Sequence, residues 1–445
     1  MDTPATGSGN PSFAETTKTF ARIGLLSFGG PAGQIALMHK ILVDEKRWLD
    51  EARFLHALNY CMLLPGPEAM QLATYAGWLL HGVRGGLVAG LLFVLPGAAV
   101  ITALSAIYLL VGDVPLVQGL LFGLKAAVMA VVLEALMKIS KRALKNGAAV
   151  TIAIAAFVAI AFLKLPFPVI ILAAALIGAF AHFFLSNDGG NGETVGADIG
   201  EPLAAEWTKP NWSRFLSTST MWLAIWFLPL IALHWAFGGG NVYVVQADFF
   251  SKMAMVTFGG AYAVLAYVAQ QAVVIHGWLK PDEMLTGLGL AETTPGPLIL
   301  VLVFVGFLGG ARLSGIDPLT GGLASAAVTL WFTFVPCFLL IFVGAPYVET
   351  VRNIRWLASA LAAVTAAVVG IIANLTVWFG LHVLFGRVGE WQIGPFSLPV
   401  PDLSTFDFAA AAIALAAGVA LIRYQVNMIA VLVAAALAGM AWTLV

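Results

Sequence analysis

Leu64-Pro65-Gly66-Pro67-Glu68-Ala69-Met70-Gln71 interrupts an otherwise apolar stretch, and Phe28-Gly29-Gly30-Pro31-Ala32-Gly33-Gln34 interrupts the one before it. Both motifs return downstream, as Phe258-Gly259-Gly260 and Thr294-Pro295-Gly296-Pro297. The offset is constant: 258 − 28, 295 − 65 and 278 − 48 (Trp278 against Trp48) are all 230. Aligned without a gap at that offset, residues 20–76 match 250–306 identically at 14 positions, and Arg22/Lys252 and Ser27/Thr257 are conservative pairs. The chain is a duplicated half-protein, with a repeat far longer than any solenoid unit. Gly/Pro breaks at corresponding positions of two hydrophobic halves point to a transporter site built from discontinuous helices.

Composition sets the environment. Of 445 residues, 60% are hydrophobic and only 10% charged, with a mean hydropathy of +0.94; a soluble domain carries roughly 25% charged residues. The chain therefore reads as an all-α polytopic membrane protein. A net charge of −1 offers no basic field for nucleic acid, so any anion selectivity must come from a few placed groups. Cys61 and Cys337 lie in apolar sequence without a CxxC partner and read as small buried hydrophobes. Residues 1–17 form a polar N-terminal tail without the apolar core of a secretory signal, so the first apolar segment is expected to be retained.

Apolar stretches of about 20 residues can span the bilayer. Candidates lie near 18–38, 54–82, 87–111, 117–138, 148–163 and 166–185, which make a first repeat over 18–185. A polar, Gly-rich, acidic linker (186–213) and one unpaired apolar segment (214–237) follow. The second repeat, 248–445, has candidates near 248–270, 284–310, 322–345, 355–385, 406–422 and 427–445. An even number of crossings and then a single extra one starts the second half on the opposite side, so the repeats should be inverted. Lys40, Lys46, Arg47 and Arg53 precede the first Pro-Gly-Pro, and Lys138, Lys141, Arg142 and Lys145 follow the fourth segment. Basic loops collect on the cytoplasmic side. These clusters share a side, together with Lys18, if both motif segments enter the membrane and return. Broken or re-entrant helices at both motifs leave 9 to 13 crossings.

Pro removes a backbone donor and stops a helix, while Gly permits unusual dihedrals and close approach. Pro-Gly-Pro before an apolar run starts a helix inside the membrane, with its positive dipole end exposed, which is a ready anion site. Gly and Pro also serve plain packing in membrane helices, but paired motifs at a fixed offset favour a site. The candidate substrate-binding residues are Gly29, Gly30, Pro31, Gln34, Pro65, Gly66, Pro67, Gln71, Gly259, Gly260, Thr294, Pro295, Gly296 and Pro297, with Arg22 and Lys252 as equivalent cations from the two halves. Snorkelling to the interface is the bland alternative for that pair. Gln34 and Gln71 can donate to an oxyanion, although Val264 and Val301 stand at their counterparts. Glu68, in the first turn after Pro67, is the candidate proton-coupling group, and Glu292 is the nearest counterpart in the other half. Glu134 and Lys138 form an i, i+4 pair that reads as structural. No catalytic residue, metal ligand set or cofactor is indicated, since HExxH and GxxxxGK[ST] are both absent.

At these residues the chain resembles the chromate ion transporter family, of the long, two-domain type. The likeness rests on Phe28-Gly29-Gly30-Pro31-Ala32-Gly33-Gln34-Ile35-Ala36, Asp44-Glu45-Lys46-Arg47-Trp48-Leu49, Leu64-Pro65-Gly66-Pro67 with Gln71-Leu72-Ala73-Thr74-Tyr75, and Thr294-Pro295-Gly296-Pro297. The resemblance implies a multi-pass protein of the bacterial inner membrane that expels chromate from the cytoplasm, driven by the proton motive force and not by ATP. It implies chromate and protons as partners, with sulfate, of the same tetrahedral shape, as competitor; a homodimer is compatible with such a chain. The second half departs at Ala261 and Val264, where Pro31 and Gln34 stand in the first. A transporter of sulfate or another oxyanion, an anion channel, and an intramembrane enzyme remain as other classes; the last lacks a nucleophile with partner spacing.

Overall fold

The computed structural model describes residues 11–185, 206–258, 260–347, 355–393 and 396–444. Gly259 lies outside them, as does most of the 186–213 linker. Helices dominate. In the first half they are α1 (Phe13–Leu26), α2 (Gly30–His39), α3 (Glu51–Leu63), α4 (Glu68–Val111), α5 (Pro115–Ala143), α6 (Gly147–Ala161) and α7 (Phe167–Leu185). The unpaired α8 (Trp212–Phe237) follows, then α9 (Val242–Val256), α10 (Ala261–Ala269), α11 (Pro281–Glu292), α12 (Val301–Leu313), α13 (Pro318–Gly344) and α14 (Arg355–Leu384). A β-hairpin, β1 (Val388–Ile393) and β2 (Phe396–Pro401), precedes α15 (Phe408–Gly418) and α16 (Met428–Thr443). This hairpin, paired from Val388–Pro401 to Ile393–Phe396, has no signal in the hydropathy pattern.

Among the described residues, five helices are long and apolar enough to cross a bilayer: α4, α5, α8, α13 with its last turn, and α14. Their outer faces carry exposed apolar side chains, among them Leu110 (69% exposed), Trp235 (91%) and Val377 (49%). A monomer in water does not tolerate such a girdle, whereas lipid covers it without penalty. The chain is an all-α polytopic membrane protein.

Both motif segments of the first half fold back on themselves. Glu15, near the start of α1, receives Lys46 at 2.7 Å, and Lys46 follows the π-helical turn (Lys40–Glu45) that ends α2. α1 and α2 are thus two arms of one hairpin with its tip at 27–29. The α3 segment does likewise: after the Pro-Gly-Pro tip, α4 bends at His81 and Gly82, which leave helical geometry. His81 meets Thr16 of α1 at 3.0 Å. Gly77 and Gly85 face each other across this bend so closely that a Cβ on either would strike the other's carbonyl. The sequence reading of 54–82 as one apolar segment therefore resolves into α3, a tip and the short first arm of α4.

The repeat persists in detail. The π-helical turn at Lys40–Glu45 recurs at Gln270–Ile275, and Arg47 and Gly277 after them both have positive φ (52° and 61°). Further along, Lys164 and Gln425 share a φ of 51°, but their separation is 425 − 164 = 261. Much of the added length is the α14–α15 connection, 385–407, where α5 and α6 are joined by 144–146 alone. Packing is exchanged between halves: α5 lies against α15 and α16, while α14 lies against α6 and α7. Glycines permit these approaches, since a Cβ at Gly123 or Gly370 would collide with the carbonyl of Ala435 or Ala153.

Candidate functional site

The four tips are tied in two pairs through backbone. The Gly66 amide donates to the Thr257 carbonyl at 2.8 Å, and the Gly296 amide donates to the Ser27 carbonyl, also at 2.8 Å. Because Ser27 + 230 = Thr257 and Gly66 + 230 = Gly296, this is one bond written twice. Each Pro-Gly-Pro tip is held by the residue before the other half's Phe-Gly-Gly. Such reciprocity marks a local two-fold relation between like parts.

The motif glycines divide into two jobs. Gly29, Gly30, Gly66, Gly260 and Gly296 all have positive φ, between 71° and 123°, a region that other residues avoid. At Gly66 a Cβ would come within 2.8 Å of Gln71 Nε2 and 2.9 Å of Cys337 Sγ, and at Gly296 within 3.2 Å of the Phe93 carbonyl. These two glycines are packed. A Cβ at Gly29 or Gly30 would meet nothing within 4 Å, and at Gly260 only Glu68 Oε1 at 4.0 Å. Open space therefore borders the Phe-Gly-Gly tips.

A contrast in capping identifies what faces that space. Helices that begin at the ends of the bundle mostly have a side-chain cap, as from Ser12, Asp50, Asn146, Asn241, Asp317 and Asn427. α2, α4, α10 and the turn leading into α12 begin at the tips, after Gly29, Pro67, Gly260 and Pro297, and none has one. Pro31 occupies the first turn of α2, where its missing donor costs least. Four helix starts without a side-chain acceptor thus stand at the tips, and two of them, those of α2 and α10, border open space.

The side chains singled out from sequence fall into three groups. Pro65, Gly66, Pro67, Thr294, Pro295, Gly296 and Pro297 are buried at the tips. Gln34 and Gln71 are also buried, but their amide protons are engaged: Gln34 Nε2 donates to the Gly296 carbonyl at 2.6 Å and Gln71 Nε2 to the Pro65 carbonyl at 2.7 Å. They brace the tips, and their Oε1 atoms are the ones without a partner. Thr294 likewise returns its hydroxyl to the Ala291 carbonyl at 2.8 Å. Arg22 and Lys252 are exposed, Arg22 pairing with Glu45 at 3.3 Å. They are not among the buried residues of the tips.

Two carboxylates approach the start of α10. Glu68 Oε1 is beside Gly260, and buried Glu292 accepts a short hydrogen bond from the hydroxyl of Tyr262, two residues further on. Glu134, bonded to Lys138 at 2.6 Å on α5, behaves as the structural pair its spacing implied. Tyr262 was not legible as a partner, because its counterpart is Ala32. Also illegible was a clasp in the second half. Arg312 grips both carboxylate oxygens of buried Glu283 at 2.8 and 2.6 Å and the Trp278 carbonyl at 3.0 Å, while Tyr108 donates to Glu283 at 3.1 Å. The positions equivalent to Glu283 and Arg312 in the first half are Arg53 and Gly82. Among the described residues no group of three or more His, Cys, Asp or Glu side chains is arranged to hold a metal.

Comparison with known proteins bears on this arrangement. The family model described as "Chromate transporter" matches residues 14–179 and 245–440. The chromate transport protein of Pseudomonas aeruginosa is 30% identical over 434 residues, covering 96% of this chain and 92% of its own. The chromate transport protein of Cupriavidus metallidurans is 27% identical over 381 residues, covering 84% and 86%. A Bacillus subtilis protein named only as an uncharacterized transporter is 31% identical over 182 residues, 40% of this chain but 91% of its own. No solved structure matches the chain.

Proposed function

Since this chain belongs to the chromate transporter family, we propose that it is a secondary transporter that exports chromate from the cytoplasm, driven by the proton motive force. The observation that carries the reading is that four helix starts without side-chain caps stand at tips cross-linked in pairs by equivalent bonds. A tetrahedral dianion needs several convergent N–H donors, and fixed dipoles supply them without burying four cations. The proposed substrate residues are Gly29, Gly30, Pro31, Gly260, Pro67 and Pro297 at the helix starts, with Gly259, which lies outside the described residues, added from the sequence motif. Gln34, Gln71, Pro65, Gly66, Thr294, Pro295 and Gly296 brace the tips, and Arg22 and Lys252 draw the anion in over distance.

The two halves are proposed to stand inverted. The folded-back hairpins leave the second arm of α4, α5, α6 and α7 as four crossings, α8 as a fifth, and α13 to α16 as four more: nine in all. The basic cluster before α3 and that at the end of α5 then share the cytoplasmic side, and the protein lies in the bacterial inner membrane. Glu68, together with Glu292, which accepts from Tyr262, is the proposed proton carrier: a charged carboxylate at the start of α10 would repel the dianion and a neutral one would not. Sulfate is the expected competitor by shape.

Uptake of labelled chromate into inverted membrane vesicles tests the reading. Accumulation that requires an imposed proton gradient and is blocked by excess sulfate is the expected result. Equal chromate levels with and without the gradient would remove the coupling, and no accumulation at all would remove the substrate.

A further inference from the structure

Outside the tips, one cavity of about 210 Å³ opens where α5, α11 and α14 meet the long α14–α15 connection. Lys125, Asp282, His382 and Asp407 line it between the rings of Phe122 and Phe385. We propose that this cavity is a second oxyanion station, where Lys125 exchanges its Asp282 partner for a dianion on its way between the tips and the bulk solution. The choice of an oxyanion rests on the transport function proposed above.

Lys125 sits ten residues into a membrane helix, and its side chain is 25% exposed. An ionisable side chain within such a helix either pairs with another group or marks an ion pathway. Its counter-ion is loosely held: Asp282 is 3.6 Å away with its side chain 55% exposed, a pair of the kind that contributes little. The other carboxylate is committed, because Asp407 caps α15 through the Ala410 amide at 2.8 Å. His382 pairs its Nδ1 with the Trp378 carbonyl at 2.9 Å and lies against the Trp378 ring at 4.3 Å, so its other ring nitrogen is left for the cavity. At about 30 Å³ per water, the volume admits a tetrahedral anion with part of its hydration.

Position supports a transit role. Asp282 is in the first turn of α11, the helix that leads to the Thr294-Pro295-Gly296-Pro297 tip. The first half has no such cavity wall to offer, because its equivalent connection is the three-residue 144–146 turn. Two otherwise matched halves leave a pathway without direction. A station on one face alone breaks that symmetry.

The same chemistry would suit the phosphate of a lipid headgroup, and the test separates the sources. Full-length protein in nanodiscs of phosphatidylcholine, or of phosphatidylcholine with phosphatidylglycerol, is dialysed to equilibrium against labelled chromate. The parent should bind two anions in phosphatidylcholine discs. K125Q should lose one of them or weaken it by about tenfold or more, K125R should restore it, and D282N should tighten it. Thermal unfolding of each variant guards against a folding defect. Parent-like binding by K125Q, or a D282N loss that matches K125Q, would overturn the station. So would Lys125-dependent binding that vanishes in phosphatidylglycerol discs, which would assign the cavity to lipid. Because the readout is binding, a chain that failed to transport chromate would still report on this cavity.

Discussion

The amide of Gly66 donates to the carbonyl of Thr257 at 2.8 Å, and 230 residues on in donor, 230 back in acceptor, Gly296 donates to Ser27 at the same distance. Neither Pro-Gly-Pro tip is completed by its own half. The halves fold as an interlocked pair, each Pro-Gly-Pro tip bonded to the Phe-Gly-Gly segment of the other. Each tip is also packed from both halves, Gly66 by Gln71 and Cys337 and Gly296 by Leu300 and Phe93.

This division of labour among glycines is testable. Gly66→Ala and Gly296→Ala both force a Cβ into occupied space at positive φ, at a cost of roughly 1–3 kcal/mol each from backbone strain alone. Lower thermal stability and lower membrane abundance are expected. Gly29→Ala has the same backbone difficulty but meets no atoms, so it should cost about 1–2 kcal/mol and act mainly on the transport rate. Equal loss of stability at all three positions would contradict the assignment.

Glu68→Gln and Glu292→Gln should each flatten the dependence of transport on pH, because each fixes one carboxyl of the α10 start as neutral. Tyr262→Phe removes the hydroxyl that Glu292 accepts from and should shift the pH profile while leaving the chain folded. A profile unchanged in both glutamine variants would take these residues out of the coupling role.

Arg22 and Lys252 are exposed and, among the described residues, make no contact with the tips, so an effect of either on the anion would act over distance. Arg22→Ala and Lys252→Ala should therefore raise the KM by a few-fold at low salt, and the effect should fade as the Debye length shortens to about 8 Å at physiological ionic strength. Parent rate and affinity at low salt would end the charge-balance idea.

Arg312 and Glu283 form the least exposed charged contact in the structure's second half, with side chains 35% and 5% accessible. Arg312→Met leaves a buried carboxylate without its fork and should destabilise by about 2–4 kcal/mol, while Arg312→Met with Glu283→Met should recover much of the loss. A double-mutant cycle on thermal unfolding measures this. Additive losses would mean that the two residues act separately.

Asp317 caps α13 from the exposed turn before it. Backbone and hydroxyl donation from Thr320, at 3.0 and 2.9 Å, holds its carboxyl below the usual aspartate range. A carboxyl whose pKa is lowered on folding adds stability that is full above its unfolded value of about 3.9 and disappears as pH falls through the lower folded one. Asp317→Asn keeps a cap but removes that titration. Between neutral pH and about pH 3, the variant should lose less thermal stability than the parent, by melting in detergent.

What the sequence determined by itself was the duplication, the membrane class and the position of every tip. Those features are local: a Pro or Gly constrains its own backbone whatever surrounds it, and a 230-residue offset needs no coordinates to be read. Glu134–Lys138 was legible for the same reason, since helical spacing alone brings the two side chains together. Only the tertiary structure decided that the tips bond across halves, because the acceptors are backbone carbonyls of Ser27 and Thr257, a group every residue carries. It turned Gln34 and Gln71 inward as braces, left Arg22 and Lys252 outside, and joined Tyr262 to Glu292 and Arg312 to Glu283. Each of these is a contact between elements distant in sequence, set by how the hairpins pack, and periodicity carries no trace of it.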